Sequence, residues 1–163
     1  MPSCLPTEQG GILVIRRPRH VAGTPPDMAS SPTMKSIVIV DDSPTIRRMV
    51  RASLGTLGAG GFVEAGSGLE AIEQLTLGPV GLMVLDLNMP DMHGLEVLQF
   101  VRRHPAYRAL PVIVLTTRGD EASRGGALAA GADVYLTKPF LPTVLAEHAR
   151  ALYDNGRPAN VAP

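Results

Sequence analysis

The feature that most constrains the fold is a set of short apolar runs, each ending on a polar or charged residue. They are "SIVIVDD" (36–42), "GLMVLD" (81–86), "LPVIVLTT" (110–117) and "DVYLTK" (133–138), with a weaker one in "GFVEA" (61–65). They are short for helices, rich in β-branched residues and apolar almost without interruption. A strand that faces solvent on one side alternates, whereas a continuous apolar run belongs to a strand covered on both faces. The segments between the runs change period. Ile46, Met49, Val50, Leu54 and Leu57 recur at helical spacing behind Ser43-Pro44, a hydroxyl N-cap followed by a proline suited to the first turn. Leu69 to Leu77, then Leu95, Leu98 and Val101, then Asp120 to Ala130 continue the helical pattern. A last helix is expected from Pro142 to about Tyr153, with Val144, Leu145, His148 and Leu152 facing in. Five strands alternating with five helices predict an α/β fold, a parallel sheet with helices on both faces joined by right-handed crossovers.

The ends of the chain read differently. Residues 1–34 carry Pro2, Pro6, Pro18, Pro25, Pro26 and Pro32 among Gly, Ser and Thr. Such a composition buries too little apolar surface to offset the entropy of ordering, so a disordered tail is expected there, with "GGILVI" its one strand-like piece. A start at Met34 would still give a complete domain. The compact domain is expected over 35–154, followed by a short flexible tail over 155–163. Lys+Arg and Asp+Glu each number 15, which leaves a net charge of zero and argues against a basic surface for DNA. The single cysteine, Cys4, has no disulfide partner, which suits a reducing cytoplasm. No apolar run approaches the ~20 residues of a membrane span. A signal-peptide pattern is not expected either, because Arg16, Arg17 and Arg19 follow the apolar piece rather than precede it.

Chemistry collects where the strands end. The first closes on Asp41 and Asp42, the third on Asp86, the fourth on Thr116 and Thr117, and the fifth on Lys138 before Pro139. In an open α/β sheet, ligands bind beyond the carboxyl ends of the strands, where strand order reverses. Singly, each residue has an ordinary explanation: Asp42 as a helix cap, Asp86 as a turn cap, Thr116 as a β-branched strand residue, Lys138 as a side chain reaching solvent. Jointly they put three carboxylates, a hydroxyl and an ammonium on one rim. Ionised carboxylates so gathered repel, and a hard divalent cation such as Mg2+ relieves that, since it takes carboxylate and carbonyl oxygen and shares its shell with phosphate. A carboxylate is also a nucleophile toward phosphorus, giving an acyl phosphate. Asp86, on the most apolar strand, is the candidate nucleophile, with Lys138 pairing the phosphoryl oxygens.

The motifs "VIVDDSPTIRRMVR", "VLDLNMPDMHG", "PVIVLTT" and "GADVYLTKPF" resemble, in order and spacing, the receiver domain of two-component response regulators, most closely the stand-alone chemotaxis type. The resemblance covers about residues 35–153. It implies a flavodoxin-like strand order, 2-1-3-4-5, and a phosphoryl group passed to Asp86 from the phosphohistidine of a sensor histidine kinase or phosphotransfer protein. It also implies that Asp41, Asp42 and Asp86 hold Mg2+ together with the backbone carbonyl of Asn88. Thr116 would bond a phosphoryl oxygen, Lys138 would pair with it, Tyr135 would be the switching aromatic, and the Lys138-Pro139 bond would be cis. Output would pass through protein contact at the face of the fourth helix, fifth strand and fifth helix, to a motor switch, an enzyme or a further relay component. The chain departs from the family in three places. Arg118 stands two after Thr116, where some members carry an acid or amide that helps water attack. Gly125 and Gly126 interrupt the fourth helix, and Leu141 stands where the fifth would be better served by a polar cap.

Other classes fit less well. A phosphatase of the haloacid dehalogenase type also uses a strand-end aspartate but wants a second aspartate two residues on, where this chain has Asn88. A flavodoxin-like flavin module needs a polar phosphate-cradling loop after its first strand, and "DDSPT" opens with two acids. A receiver used only for docking is disfavoured by the presence of Asp41, Asp42, Asp86, Thr116 and Lys138 together. Beyond phosphotransfer to Asp86 and its hydrolysis, no turnover of a small molecule is expected. Arg47, Arg48 and Arg51 are expected near the exposed side of the first helix, as a solvated face or a kinase-docking edge.

Overall fold

A computed structural model of the chain describes residues 34–157; residues 1–33 and 158–163, on which most of the two tail expectations fall, lie outside the described residues. Strands β1 (Ser36–Val40), β2 (Phe62–Ala65), β3 (Val80–Leu85), β4 (Val112–Thr116) and β5 (Val134–Thr137) form one parallel sheet in the expected order β2-β1-β3-β4-β5. Helices α1 (Pro44–Leu54), α2 (Gly68–Leu77), α3 (Gly94–Arg103), α4 (Glu121–Ala129) and α5 (Pro142–Asn155) alternate with the strands. Parallel neighbours need crossovers, and the helices supply them. A 3-10 turn, Gly55–Leu57, prolongs α1 and ends on Gly58 in the left-handed region (φ 69°).

The two-residue period of the strands sorts the core onto two faces. Val38, Val40, Met83, Leu85, Val112 and Val114 meet Leu75 of α2, Val97, Leu98 and Val101 of α3, and Ala127 of α4. Ile37, Ile39, Leu82, Val84, Ile113 and Leu115 meet Val50 and Leu54 of α1 and Leu145, Ala149 and Leu152 of α5. Both sets are buried, which is why the strands read as unbroken apolar runs. At roughly 1.5–3 kcal/mol for each fully buried aliphatic side chain, this sheet outweighs the weak points of the helices, such as about 1 kcal/mol for each glycine inside α4.

Several helix positions differ from expectation. In α5 the buried stripe is Leu145, Ala149 and Leu152, while His148 is exposed. A stripe at i, i+4 and i+7 leaves position i+3 on its edge, and a polar ring there turns to water. In α1 Met49 is 45% exposed, although Val50 beside it is buried. Arg48 and Arg51 are exposed, but Arg47 is not on the solvated face. Its guanidinium pairs with Glu64 at 3.0 Å and donates to the Asp41 carbonyl at 2.7 Å, tying α1 to β2 and to the end of β1. Helix α5 also continues two residues past Tyr153. Beyond it, Arg157 pairs at 2.8 Å with Asp133, whose other oxygen takes Arg102 at 3.0 Å and the Val112 N–H at 2.8 Å. Among the described residues, no helix is long and apolar enough to cross a membrane.

Candidate functional site

The backbone of the rim belongs to the sheet even where the strands have formally ended. The Asp41 N–H donates to the Ala65 carbonyl at 3.1 Å, Asp86 to Val40 at 2.9 Å and Lys138 to Thr116 at 2.8 Å. Each side chain is therefore aimed by a ladder bond rather than by a loose loop. Strand order reverses at β1, flanked by β2 on one side and β3 on the other, so Asp41 and Asp86 border the crevice at the switch point. Helix α1 starts on the site itself: Ser43 caps it through Oγ, and the Ser43 N–H donates to Asp41 Oδ1 at 2.9 Å. Helix α3 starts hard against the end of β3, where a Cβ on Gly94 would stand 2.1 Å from the Asp86 carbonyl oxygen. Only glycine lets α3 approach without displacing Asp86.

Asp41, Asp42 and Asp86 each offer a carboxylate oxygen, and these lie within 4.8 Å of one another. Asp41 and Asp86 are buried, and Asp42 is exposed. Lys138 Nζ stands between the buried pair, 2.5 Å from Asp41 Oδ2 and 3.2 Å from Asp86 Oδ2. Asp86 Oδ1 accepts the Asn88 N–H at 3.2 Å. Burial pushes the Asp86 carboxyl above its ordinary value, and the charge of Asp41 adds to this; Lys138 and the Asn88 N–H pull the other way. A cavity of about 500 Å³ opens over the group, with Asn88 and Thr117 on its polar wall and Ile46, Met49, Pro139 and Phe140 on its apolar wall. The Lys138-Pro139 bond is cis, as expected.

Three acids face one lysine, a set of hard oxygen donors with spare negative charge, and this is the chemistry that suits a small divalent cation. Thr116, at the end of β4, is fully buried and accepts the Asn88 side-chain N–H at 3.0 Å. Tyr135 on β5 is half-buried against the α3 side of the core, and its hydroxyl donates to the Arg118 carbonyl. Beyond the expected set, the site uses the side chain of Asn88; Thr117, which the sequence places on the rim without a role; Ser43, which it reads only as a helix cap; and Arg47. A proline-interrupted loop after Asp86 and a second threonine after Thr116 were the available signals for the first two; Arg47, on α1, carried none, since its partner Glu64 lies on β2, away from it in the sequence.

Fold and rim together define a doubly wound α/β domain with an acidic crevice at its switch point. The chain belongs to the response regulator receiver domain family, which it matches over residues 37–150, and whose members are phosphorylated on an aspartate in two-component signalling. It is similar to a chemotaxis protein CheY homolog of Campylobacter jejuni, 40% identical over 121 residues that cover 74% of this chain and 93% of that one. Its structure is similar to that of CheY4, the chemotaxis response regulator of Vibrio cholerae, with a TM-score of 0.67 at 32% identity over 72% of this chain and 98% of that one. It is also similar to the Mn2+-bound form of response regulator Rcp1, with a TM-score of 0.61 at 28% identity over 72% of this chain and 91% of that one.

Proposed function

We propose that this chain is a phosphorelay response regulator in which Asp86 accepts the phosphoryl group from the phosphohistidine of a sensor histidine kinase or phosphotransfer protein. One observation carries the reading: Asp86 is a buried carboxylate opening onto a cavity, with Lys138 at 3.2 Å and two further acids beside it. Asp86 attacks phosphorus, forming an acyl phosphate as the phosphorus–nitrogen bond breaks and the donor histidine leaves as its imidazole. Lys138 stands close enough to pass from the carboxylates to the phosphoryl oxygens. Thr116 supplies a hydroxyl from the neighbouring strand. The Asp41, Asp42 and Asp86 carboxylates and the Asn88 backbone carbonyl are the groups that would hold Mg2+, which when bound offsets the charge of the acids and of the phosphoryl oxygens. The Mn2+-bound relative supports a divalent ion in this reading. The protein acts on itself in this scheme and turns over no small molecule.

We assign the output to the face of α4, β5 and α5. A run of hydrogen bonds supports this: the Arg118 N–H donates to Thr116 Oγ1 at 3.3 Å, and the Arg118 carbonyl takes the Tyr135 hydroxyl. A shift of Thr116 toward a phosphoryl oxygen is passed by these bonds to the loop before α4 and to β5. Gly125 and Gly126 weaken α4, which lets a few kcal/mol shift its population. The chemotaxis relatives make a motor-switch component one partner class to test, beside an enzyme or a further relay component, all of them in the cytoplasm with the kinase. Acetyl phosphate with Mg2+ should add one phosphoryl group to the wild type and none to Asp86→Asn. Beryllium trifluoride, a phosphoryl mimic, should slow hydrogen exchange in residues 117–131 more than in α1. Labelling of Asp86→Asn at the wild-type rate would overturn the acceptor; protection confined to the loops around Asp42 and Asp86 would move the output elsewhere.

A further inference from the structure

We infer that Thr117 supplies a second hydroxyl to the phosphoryl group, and that the side chain of Asn88 is the positioning residue that holds it there. The inference rests on Asp86 being the acceptor. A carboxamide nitrogen carries two N–H groups. In Asn88 one goes to Thr116 Oγ1 at 3.0 Å and the other to Thr117 Oγ1 at 3.1 Å. Successive residues on a strand point to opposite faces. Thr116 is the last residue of β4 and the chain bends at Thr117, so both hydroxyls come round to one amide.

The two hydroxyls are placed differently. Thr116 is fully buried, and its oxygen already accepts from the Asn88 amide and from the Arg118 N–H at 3.3 Å. Its lone pairs are thereby used, and its proton has no acceptor among the described residues. Thr117 is exposed and lines the cavity together with Asp86, Asn88 and Lys138, and its oxygen too receives an N–H rather than giving up its proton. An amide that donates to both oxygens leaves both O–H groups as donors. The incoming group is rich in acceptor oxygens and brings about −1.5 to −2 charges, so it is what two such donors fit. Hydrogen bonds to charged groups are the stronger kind.

The test is binding of beryllium trifluoride at saturating Mg2+, followed by isothermal titration, beside labelling by acetyl phosphate. Thr117→Val keeps the shape and removes the hydroxyl, and should weaken binding about tenfold, the scale of one hydrogen bond to a charged group. Thr117→Ser restores the hydroxyl and should stay within about twofold of wild type, a rescue that a packing role would not give. In an Asn88→Ala background, Thr117→Val should cost less than about twofold, because the hydroxyl is no longer held. Binding by Thr117→Val equal to wild type, with Asp86 still labelled, overturns the inference alone. An equal loss in both backgrounds overturns the role of Asn88. Labelling that persists in Asp86→Asn overturns the acceptor and this inference with it.

Discussion

Helix α4 can be stiffened without touching anything else, and the effect separates its stability from its role in signalling. It spans nine residues, Glu121–Ala129, with Gly125 and Gly126 at its middle. Both are exposed, neither has a positive φ, and a Cβ added at either meets nothing within 4 Å. Alanine therefore enters without strain, and each replacement should contribute about 0.8–1.0 kcal/mol, partly by restricting the unfolded chain. Neighbours at i and i+1 do not face each other on a helix, so the pair should come close to adding, at about 1.5–2 kcal/mol. At roughly 4 °C for each kcal/mol in a domain of this size, Gly125→Ala/Gly126→Ala should melt about 6–8 °C above wild type by far-ultraviolet circular dichroism. Its α4 amides should exchange about 10–30-fold more slowly in the free protein. If the proposed switch draws on a loosely held α4, the further slowing caused by beryllium trifluoride should shrink. An unchanged or lower melting temperature would refute the stability argument, because it would mean that these positions are not open helix. A raised melting temperature with the mimic-induced slowing undiminished would refute the use of α4 as the yielding element.

Four further outcomes are expected. Leu141 stands at the N-cap of α5, is 67% exposed and makes no side-chain capping bond; Leu141→Ser should add about 1 kcal/mol in a urea melt, and no gain would mean that water already satisfies that turn. Burial holds the folded-state pKa of Asp86 above its unfolded value, so folding favours the protonated acid, and the stability this contributes at low pH is lost as pH rises through that interval. Metal-free Asp86→Asn should thus melt above wild type at neutral pH, with the advantage shrinking in the carboxylate range; a less stable variant would show that pairing with Lys138 outweighs burial. Asp133→Ala removes the fully buried carboxylate between Arg102 and Arg157 and should cost about 3–5 kcal/mol, by leaving a largely buried guanidinium without its counter-charge. Arg157→Ala, which leaves the Arg102 pair intact, should cost about 1–2 kcal/mol in the same denaturant series.

The pattern of these residues shows what a sequence makes legible. The strands could be read because both alternate positions are apolar: Val38 and Ile39 go to opposite faces, and both faces are covered. The rim could be read because Asp41, Asp86, Thr116 and Lys138 each follow such a run. Strand order was another matter: periodicity does not rank one parallel arrangement over another, and the order came from the family's motifs. Polar pairing was the least legible. Arg47 meets Glu64 only because β2 lies beside β1, and Asn88 meets Thr116 and Thr117 only because β3 lies beside β4. A charged residue on a helix looks solvated until the register of a distant strand gives it a partner. His148 and Ala149 differ for a simpler reason: adjacent residues on a helix point about 100° apart, so when Ala149 faces the sheet His148 falls at the edge of the buried stripe.

Three aspartates share the rim, yet geometry makes them unequal, and the inequality supports the proposed acceptor. Asp41 is the most engaged: one oxygen takes the Ser43 N–H at 2.9 Å and the other takes Lys138 at 2.5 Å. Asp42 is exposed, so water already solvates its charge. Asp86 lies between these extremes. It is buried, but its two bonds, to the Asn88 N–H and to Lys138, are both 3.2 Å long. Hydrogen bonds to a carboxylate stabilise its charge in proportion to how well they are made, and whatever stabilises the lone pairs also holds them back from phosphorus. A buried and only loosely compensated carboxylate has the least-committed lone pairs of the three, which favours Asp86 as the proposed acceptor. The shared ammonium leans toward Asp41, which keeps the counter-charge within reach of Asp86 without satisfying it. The same arrangement leaves Asp86 costly to ionise, so in the proposed reading the carboxylate that burial destabilises is also the one that attacks phosphorus.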